Sequence, residues 1–98
     1  MFLVTVVHMP KNFTQLERIV RGFSNHRRIQ MLHLLEIEPE LDVLTMARRC
    51  GISIKTASEH TRRLAIASLI LKRKKGRQVL HALTRRGKDI LTFLRMLE

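Results

Sequence analysis

Cysteine, proline, the larger aromatics and acidic residues are all scarce in this chain, and each shortage closes off a class of protein. The one cysteine, Cys50, rules out an intramolecular disulfide and any zinc site built from two or more thiolates, which suits a reducing cytoplasm. Trp and Tyr are absent, and the four Phe fall in apolar segments expected to be buried. The chain therefore lacks the stacking platforms used to hold single-stranded bases or RNA. Only Pro10 and Pro39 interrupt the 98 residues, and no repeat or low-complexity linker divides them, so one domain with one core is expected. There is no phosphate-cradling glycine loop, no nucleophile-base-acid arrangement and no cofactor motif, so neither an enzyme nor a cofactor is expected.

The shortage of acid is the most telling. Eight Asp and Glu stand against 19 Lys and Arg, a formal charge of +11, far more than solubility needs, and a polyanionic partner is the simplest reason to keep it. The excess is local: from Arg48 to Lys88 there are thirteen basic residues and one acid, Glu59, while Glu36, Glu38, Glu40 and Asp42 cluster just before. A basic side and an acidic side are expected. The opening Met1 to Val7 is apolar but has no basic flank or small-residue cleavage site and is too short to span a bilayer. No export or membrane association is expected of it. Residues 1–12 are assigned to an N-terminal arm and 13–98 to a single domain.

Along that domain the apolar period alternates between helix and strand. Phe13, Leu16, Ile19, Val20 and Phe23 recur at helical spacing. Ser24 or Asn25 caps a second helix carrying Ile29, Met31, Leu32, Leu34 and Leu35, ended by Pro39. Asp42 and Ser53 cap two further helices that meet at Gly51. Leu69 to Leu71 and Val79 to Leu83 read as two short strands around a basic tip, Lys72 to Arg77, with Gly76 as the turn position. Thr84 caps a last helix bearing Ile90, Leu91, Phe93, Leu94 and Leu97. The order defines an α+β, mostly helical fold, a winged helix-turn-helix with a two-stranded β-hairpin wing.

A helix-turn-helix needs a small residue where its helices cross, a residue tolerating positive φ in the turn and an apolar plug after it. Ala47, Gly51, Ile52 and Ala57 meet these demands at spacings of four, one and five. If Ala57, Thr61 and Leu64 face inward, Lys55, Glu59, Arg62 and Arg63 face outward, flanked by Thr56 and Ser58, a hydrogen-bonding surface suited to a major groove. Ser53 and the first N–H groups of that helix could hold a phosphate, which positions without specifying sequence. Glu59 could accept from a cytosine amino group or pair with Arg62 or Arg63 at i+3 and i+4; pairing is favoured. The wing cations Lys72, Arg73, Lys74, Lys75 and Arg77 would lie along the phosphate backbone or enter the minor groove, though a run of charge is also what a solvated turn looks like.

The segments NHRRIQMLHLL and GISIKTASEHTRRLAIASLI resemble the DNA-binding core and recognition segment of arsenic-repressor-like (ArsR-type) winged-helix regulators, over roughly residues 14–98. Ser53, Thr56, Ser58, His60, Leu64, Ala67 and Leu69 match the residue types of that family, whereas Ser68 replaces a usual Gly, Thr61 a usual Leu, and Glu59 a neutral or basic residue. The ending LTRRGKDIL is similar to multiple-antibiotic-resistance (MarR-type) regulators. The resemblance implies a DNA-binding regulator with contacts at Ser53, Lys55, Thr56, Ser58, Glu59, His60, Arg62, Arg63 and the wing. Metal-sensing members carry paired thiolates before the turn, or carboxylate and His ligands on the last helix; this chain departs from both, and no metal is expected. Cys50 reads as a packing residue, a reactive or redox-sensing thiol being the alternative, and His26 and His33 with His8, His60 and His81 do not assemble into a ligand set.

Phe13, Leu16, Ile19, Val20 and Phe23, with Ile90, Leu91, Phe93, Leu94 and Leu97, are too many apolar residues for so small a core. A homodimer interface on the first and last helices is expected, the alternative being that they fold back on a monomer. Double-stranded DNA is thus the expected partner and a dimeric repressor the expected role. An architectural chromatin protein that binds without sequence preference and a winged helix used for protein interaction are the alternatives. The sequence names no effector.

Overall fold

Every helix of the computed structural model, which describes residues 12–98, begins at a short polar side chain that accepts from a backbone N–H two or three residues on. Asn12 Oδ1 takes Gln15 N at 2.9 Å and starts α1 (Phe13–Phe23). Asn25 Oδ1 takes both Arg27 N and Arg28 N and starts α2 (His26–Ile37). Asp42 starts α3 (Val43–Cys50), Ser53 starts α4 (Ile54–Ile66), and Thr84 starts α5 (Arg85–Met96). The first N–H groups of a helix have no intrahelical partner, and each cap satisfies one of them, or two at Asn25, a contribution of about 1 kcal/mol per cap. Of the assigned N-terminal arm only residue 12 is described; residues 1–11 lie outside.

Between α4 and α5 the chain forms an antiparallel hairpin of β1 (Ile70–Lys75) and β2 (Gln78–Leu83), in register from Ile70 opposite Leu83 to Lys75 opposite Gln78. Leu41 adds an isolated bridge to His81 on the outer side of β2, Leu41 N and His81 N each donating to the other's carbonyl. The core is centred on α2, which touches all four other helices and β2. Met31, Leu32, Met46, Ala57, Leu64 and Leu69 are fully enclosed there.

The helix-turn-helix is α3 and α4. Gly51 caps α3 in the left-handed region at φ 66°, and Ile52 N closes the turn on Ala47 O at 3.1 Å. No atom stands where a Gly51 Cβ would go, so backbone conformation alone favours glycine there. Ala47 and Ala57 are buried where the helices meet.

The end of α4 has the same geometry without the glycine. Leu69 N reaches Leu64 O and Ser68 N reaches Ala65 O, the paired bonds of a Schellman cap, and the left-handed position between them is Ser68 at φ 60°. This is the position where the resembled family has Gly. A left-handed L-residue costs about 1–2 kcal/mol, partly offset by the extra unfolded-state freedom of glycine. Ser68→Gly is therefore expected to stabilise the protein by about 1 kcal/mol and raise its melting temperature by about 4–8 °C, readable by calorimetry; an unchanged or lower value would show that the Ser68 side chain compensates.

The acidic cluster does not form a bare acidic side. Glu36 pairs with Arg95 of α5, Glu38 with Arg49 of α3, and Glu40 with Arg73 of β1, while Asp42 caps α3. Four carboxylates in seven residues thus tie the α2–α3 connection to three separate elements.

His81 is buried on β2, its Nδ1–H donating to Leu41 O at 3.1 Å. Burial, more than the nearby Lys72 charge, pushes its pKa below the usual 6.5. The unfolded chain then binds the proton more readily, so the contribution is whole above that value and is lost as pH falls. The urea midpoint is expected to drop from about pH 7.5 to about pH 5, and His81→Phe to shrink that drop; equal slopes for both proteins would remove His81 from the account.

Candidate nucleic-acid interface

The inward positions of α4 are Ala57, Thr61 and Leu64, all buried. Lys55, Thr56, Ser58, Arg62 and Arg63 are exposed on the opposite side, with Ser53 at the cap, and Glu59 and His60 part-buried between them. Ser53 Oγ accepts from Thr56 N and donates to Thr56 Oγ1 at 3.0 Å, leaving the Thr56 hydroxyl proton free to donate outward. Thr61 turns its hydroxyl back onto Ser58 O at 2.9 Å, which lets a polar residue occupy a core position.

Glu59 is fully engaged with arginine. Its Oε1 accepts from Arg62 Nε, and its Oε2 from Arg62 Nη2 at 2.7 Å and Arg63 Nε at 2.9 Å. These bonds, those from Arg62 foremost, pull its pKa from 4.5 to about 2. The carboxylate fixes two guanidinium groups on one helix face while leaving each with further N–H donors.

His60 is held from the neighbouring helix. Arg28 of α2 approaches its Nδ1 through Nη1 at 3.3 Å and spans to Arg21 O at the end of α1 through Nη2. An arginine has no acceptor, so His60 Nδ1 accepts, and the proton of the neutral ring sits on Nε2. Burial, then the Arg28 charge, lowers the His60 pKa and keeps that tautomer neutral. Nothing in the spacing of α2 marks Arg28 in the sequence. Ile54, the first residue of α4 and about half exposed, is a further missed surface residue; its signal was an apolar side chain immediately after a cap.

The wing is tighter than its charge run suggested. Lys72 to Lys75 are paired strand residues, and the turn is Gly76 and Arg77 alone, with Gly76 at φ 62° in the first turn position. Alternation along the strand sends Lys72 and Lys74 to one face and Arg73 and Lys75 to the other. Arg73 is held by Glu40 in a two-pronged pair of 2.7 and 2.8 Å, whereas Lys72, Lys74, Lys75 and Arg77 form no ion pair among the described residues.

On the outer helices, Phe13, Leu16 and Val20 of α1, Phe93 of α5 and its C-cap Leu97 are exposed, with Ile19, Ile90 and Leu94 half-buried. Phe13 and Phe93 therefore depart from the burial expected of the phenylalanines. Phe23 and Leu91 instead belong to the core, at 7% and 4% exposure, on the inward edge of each stripe. They are unavailable to a partner protomer. Met96, exposed beside Leu97, was not anticipated.

Cys50 is buried, and desolvation raises its thiol pKa. Among the described residues no three His, Cys, Asp or Glu gather as metal ligands, and no helix is long and apolar enough to cross a membrane.

The chain has the winged helix-turn-helix fold, and its structural neighbours are ArsR- and HlyU-type transcriptional regulators, in keeping with the resemblance of its sequence. HlyU from Vibrio cholerae superposes with a TM-score of 0.77 at 28% identity, over 91% of this chain and 97% of that one. The homodimeric winged helix-turn-helix DNA-binding domain of a possible ArsR-family transcriptional regulator from Mycobacterium bovis gives 0.77 at 21% identity, over 92% and 89%. The transcriptional repressor PagR of Bacillus anthracis shares the fold at 14% identity, with a TM-score of 0.72 over 85% and 99%. No family model matches the sequence, and no curated protein sequence is similar to it.

Proposed function

We propose that the protein is a sequence-specific double-stranded DNA-binding transcription regulator that works as a homodimer and represses by occluding its site. The observation that carries the proposal is the exposed polar face of α4, with Ser53, Lys55, Thr56, Ser58, Arg62 and Arg63 presented together while the opposite face is buried. A protruding α-helix of this chemistry fits a major groove, where Arg and Lys read guanine edges. His60, held as an Nε2–H donor, is suited to a phosphate or a base acceptor, and the wing lysines to the flanking backbone.

Dimerisation is supported by the exposed Phe13, Leu16, Val20, Phe93, Met96 and Leu97, and by an open cleft of about 520 Å³ beside α2 and α5 that Ile29, Leu94 and Leu97 line together with His33, Arg95 and Glu98. A structurally similar domain being homodimeric agrees with it. Two-fold pairing would set the recognition helices one DNA turn, about 34 Å, apart.

Selection from random duplex DNA is the direct test. A palindromic motif preferred about a thousandfold over scrambled duplex is expected; equal affinities that collapse together with salt would overturn sequence specificity in favour of an architectural role.

The wing makes a separate prediction. Log affinity falls with log salt by about 0.9 for each phosphate neutralised. Lys72→Gln with Lys74→Gln is expected to flatten that slope by about 2, and Arg73→Gln by much less, because Glu40 already holds Arg73. Equal flattening by Arg73→Gln would mean that the Glu40 pair opens on DNA.

A further inference from the structure

The C-terminal half of α4 and the facing stretch of α1 together carry more arginine than base reading by Arg62 and Arg63 uses. Where α1 crosses α4, Gly22 approaches Ala67 so closely that a Cβ on the glycine would stand 2.4 Å from the alanine Cβ. Beside this crossing lies an open cleft of about 370 Å³ lined by Arg18 and Arg21 of α1, Arg62 and Arg63 of α4, buried Gly22 and Ala67, and exposed Ile66. That volume falls in the range of small-molecule sites.

Four guanidinium groups converge there against two carboxylates. Glu17 pairs with Arg21, Glu59 serves both Arg62 and Arg63, and Arg18 forms no ion pair among the described residues. Arg62 and Arg63 spend three N–H groups on Glu59, and the rest have no protein acceptor among the described residues. A fifth arginine, Arg28, lies behind, bonded to Arg21 O, with its buried Nε lacking any acceptor. Burial and the Arg63 charge both lower its pKa, so positive charge in this region is under-compensated.

We propose that this cleft is the binding site of a small polyanion carrying two phosphate or carboxylate groups, clamped between α1 and α4 by Arg18, Arg21, Arg62 and Arg63. Planar guanidinium forks match such oxygens two by two, and buried Gly22 and Ala67 lie beneath them. The ligand bridges the helix proposed for dimerisation and the helix proposed to read DNA. Resting on that functional reading, occupancy withdraws Arg62 and Arg63 from the nucleic acid and weakens DNA binding.

The test uses inorganic pyrophosphate as the probe, titrated into the full chain without DNA and followed by calorimetry and amide shifts. Arg18→Gln with Arg21→Gln, both exposed and outside the DNA-reading face, is expected to weaken pyrophosphate binding about tenfold or more. Lys72→Gln with Lys74→Gln on the wing is expected to leave it unchanged. Equal weakening by both pairs, or by neither, would reduce the effect to diffuse attraction and overturn the site. Loss of DNA affinity in Arg18→Gln/Arg21→Gln with no pyrophosphate present would also overturn it, by making the DNA backbone the occupant. Because pyrophosphate binding is read without DNA, failure of the regulator reading leaves this result standing, and the reverse holds.

Discussion

Leu16→Asp combined with Val20→Asp is expected to leave the protomer folded, convert the protein to a monomer in sedimentation at micromolar concentration, and lower affinity for a palindromic site by at least about a hundredfold. Both side chains are exposed, at 44% and 52%, so the carboxylates meet water and disturb no core contact. They lie four residues apart on one stripe of α1 with Phe13, whereas the helix is anchored inward by Gly22, Phe23 and half-buried Ile19. Placed against their own symmetry copies, two aspartates per chain bring like charges into an apolar contact, which is costly because neither can be paired or solvated. The DNA effect follows from linkage: a dimer binds its second half-site at the effective concentration set by the first, and a monomer forgoes that gain. A double variant that still sediments as a dimer would move the interface elsewhere, and a wild-type monomer would remove the palindrome from the proposed function.

The same helix illustrates what sequence could and could not deliver. The caps at Asn25, Asp42, Ser53 and Thr84 were legible because a short polar side chain before an apolar-periodic run acts on its own next few N–H groups. Gly51 with Ala47 and Ala57 was legible for the same reason, as a local turn with a fixed steric demand. An apolar stripe, however, gives an angle on a helix and no boundary between core and surface. Phe23 and Leu91 fall on the same stripes as residues that face outward, and only their burial in the core separates them. The full extent of the wing strands is hidden in the sequence because a charge run looks like a loop, whereas β pairing from Lys72 to Lys75 is set by register with His81 to Gln78. The pairs Glu40–Arg73 and Glu36–Arg95 join positions 33 and 59 apart, beyond any spacing rule. On α4 the helical wheel sufficed for Glu59, whose partners are its own i+3 and i+4 neighbours, but not for Arg28, which reaches His60 from another helix.

Gly87→Ala is expected to be the most damaging one-methyl change in the chain. The first turn of α5 is stapled to the end of α4 and the start of β1 through three successive carbonyls. Arg86 Nη1 donates to Ala67 O at 3.2 Å, Thr84 Oγ1 donates to Ser68 O at 2.6 Å, and Thr84 N donates to Leu69 O at 3.1 Å. Gly87 lies over the last of these: a Cβ there would stand 2.2 Å from Leu69 O and 3.2 Å from Leu69 C, with Leu83 Cδ2 at 3.1 Å on the other side. Leu69 is fully buried and its amide is committed to Leu64 O, so the carbonyl cannot swing aside without opening the α4 cap. Instead α5 must lift, breaking some of the three bonds and loosening Leu91 in the core. Overpacking of this kind costs about 3 kcal/mol, well above the gain in helix propensity from glycine to alanine of about 1. A fall in melting temperature of about 10–15 °C is expected. Since α5 carries Phe93 and ends at Leu97, the proposed dimer should weaken in the folded fraction as well, so that DNA affinity is expected to drop at temperatures where the circular dichroism spectrum is still native. A Gly87→Ala protein that melts with the wild type would mean that α5 is seated at a greater distance from Leu69, and with it that the staple does not set the angle at which α5 meets a second protomer.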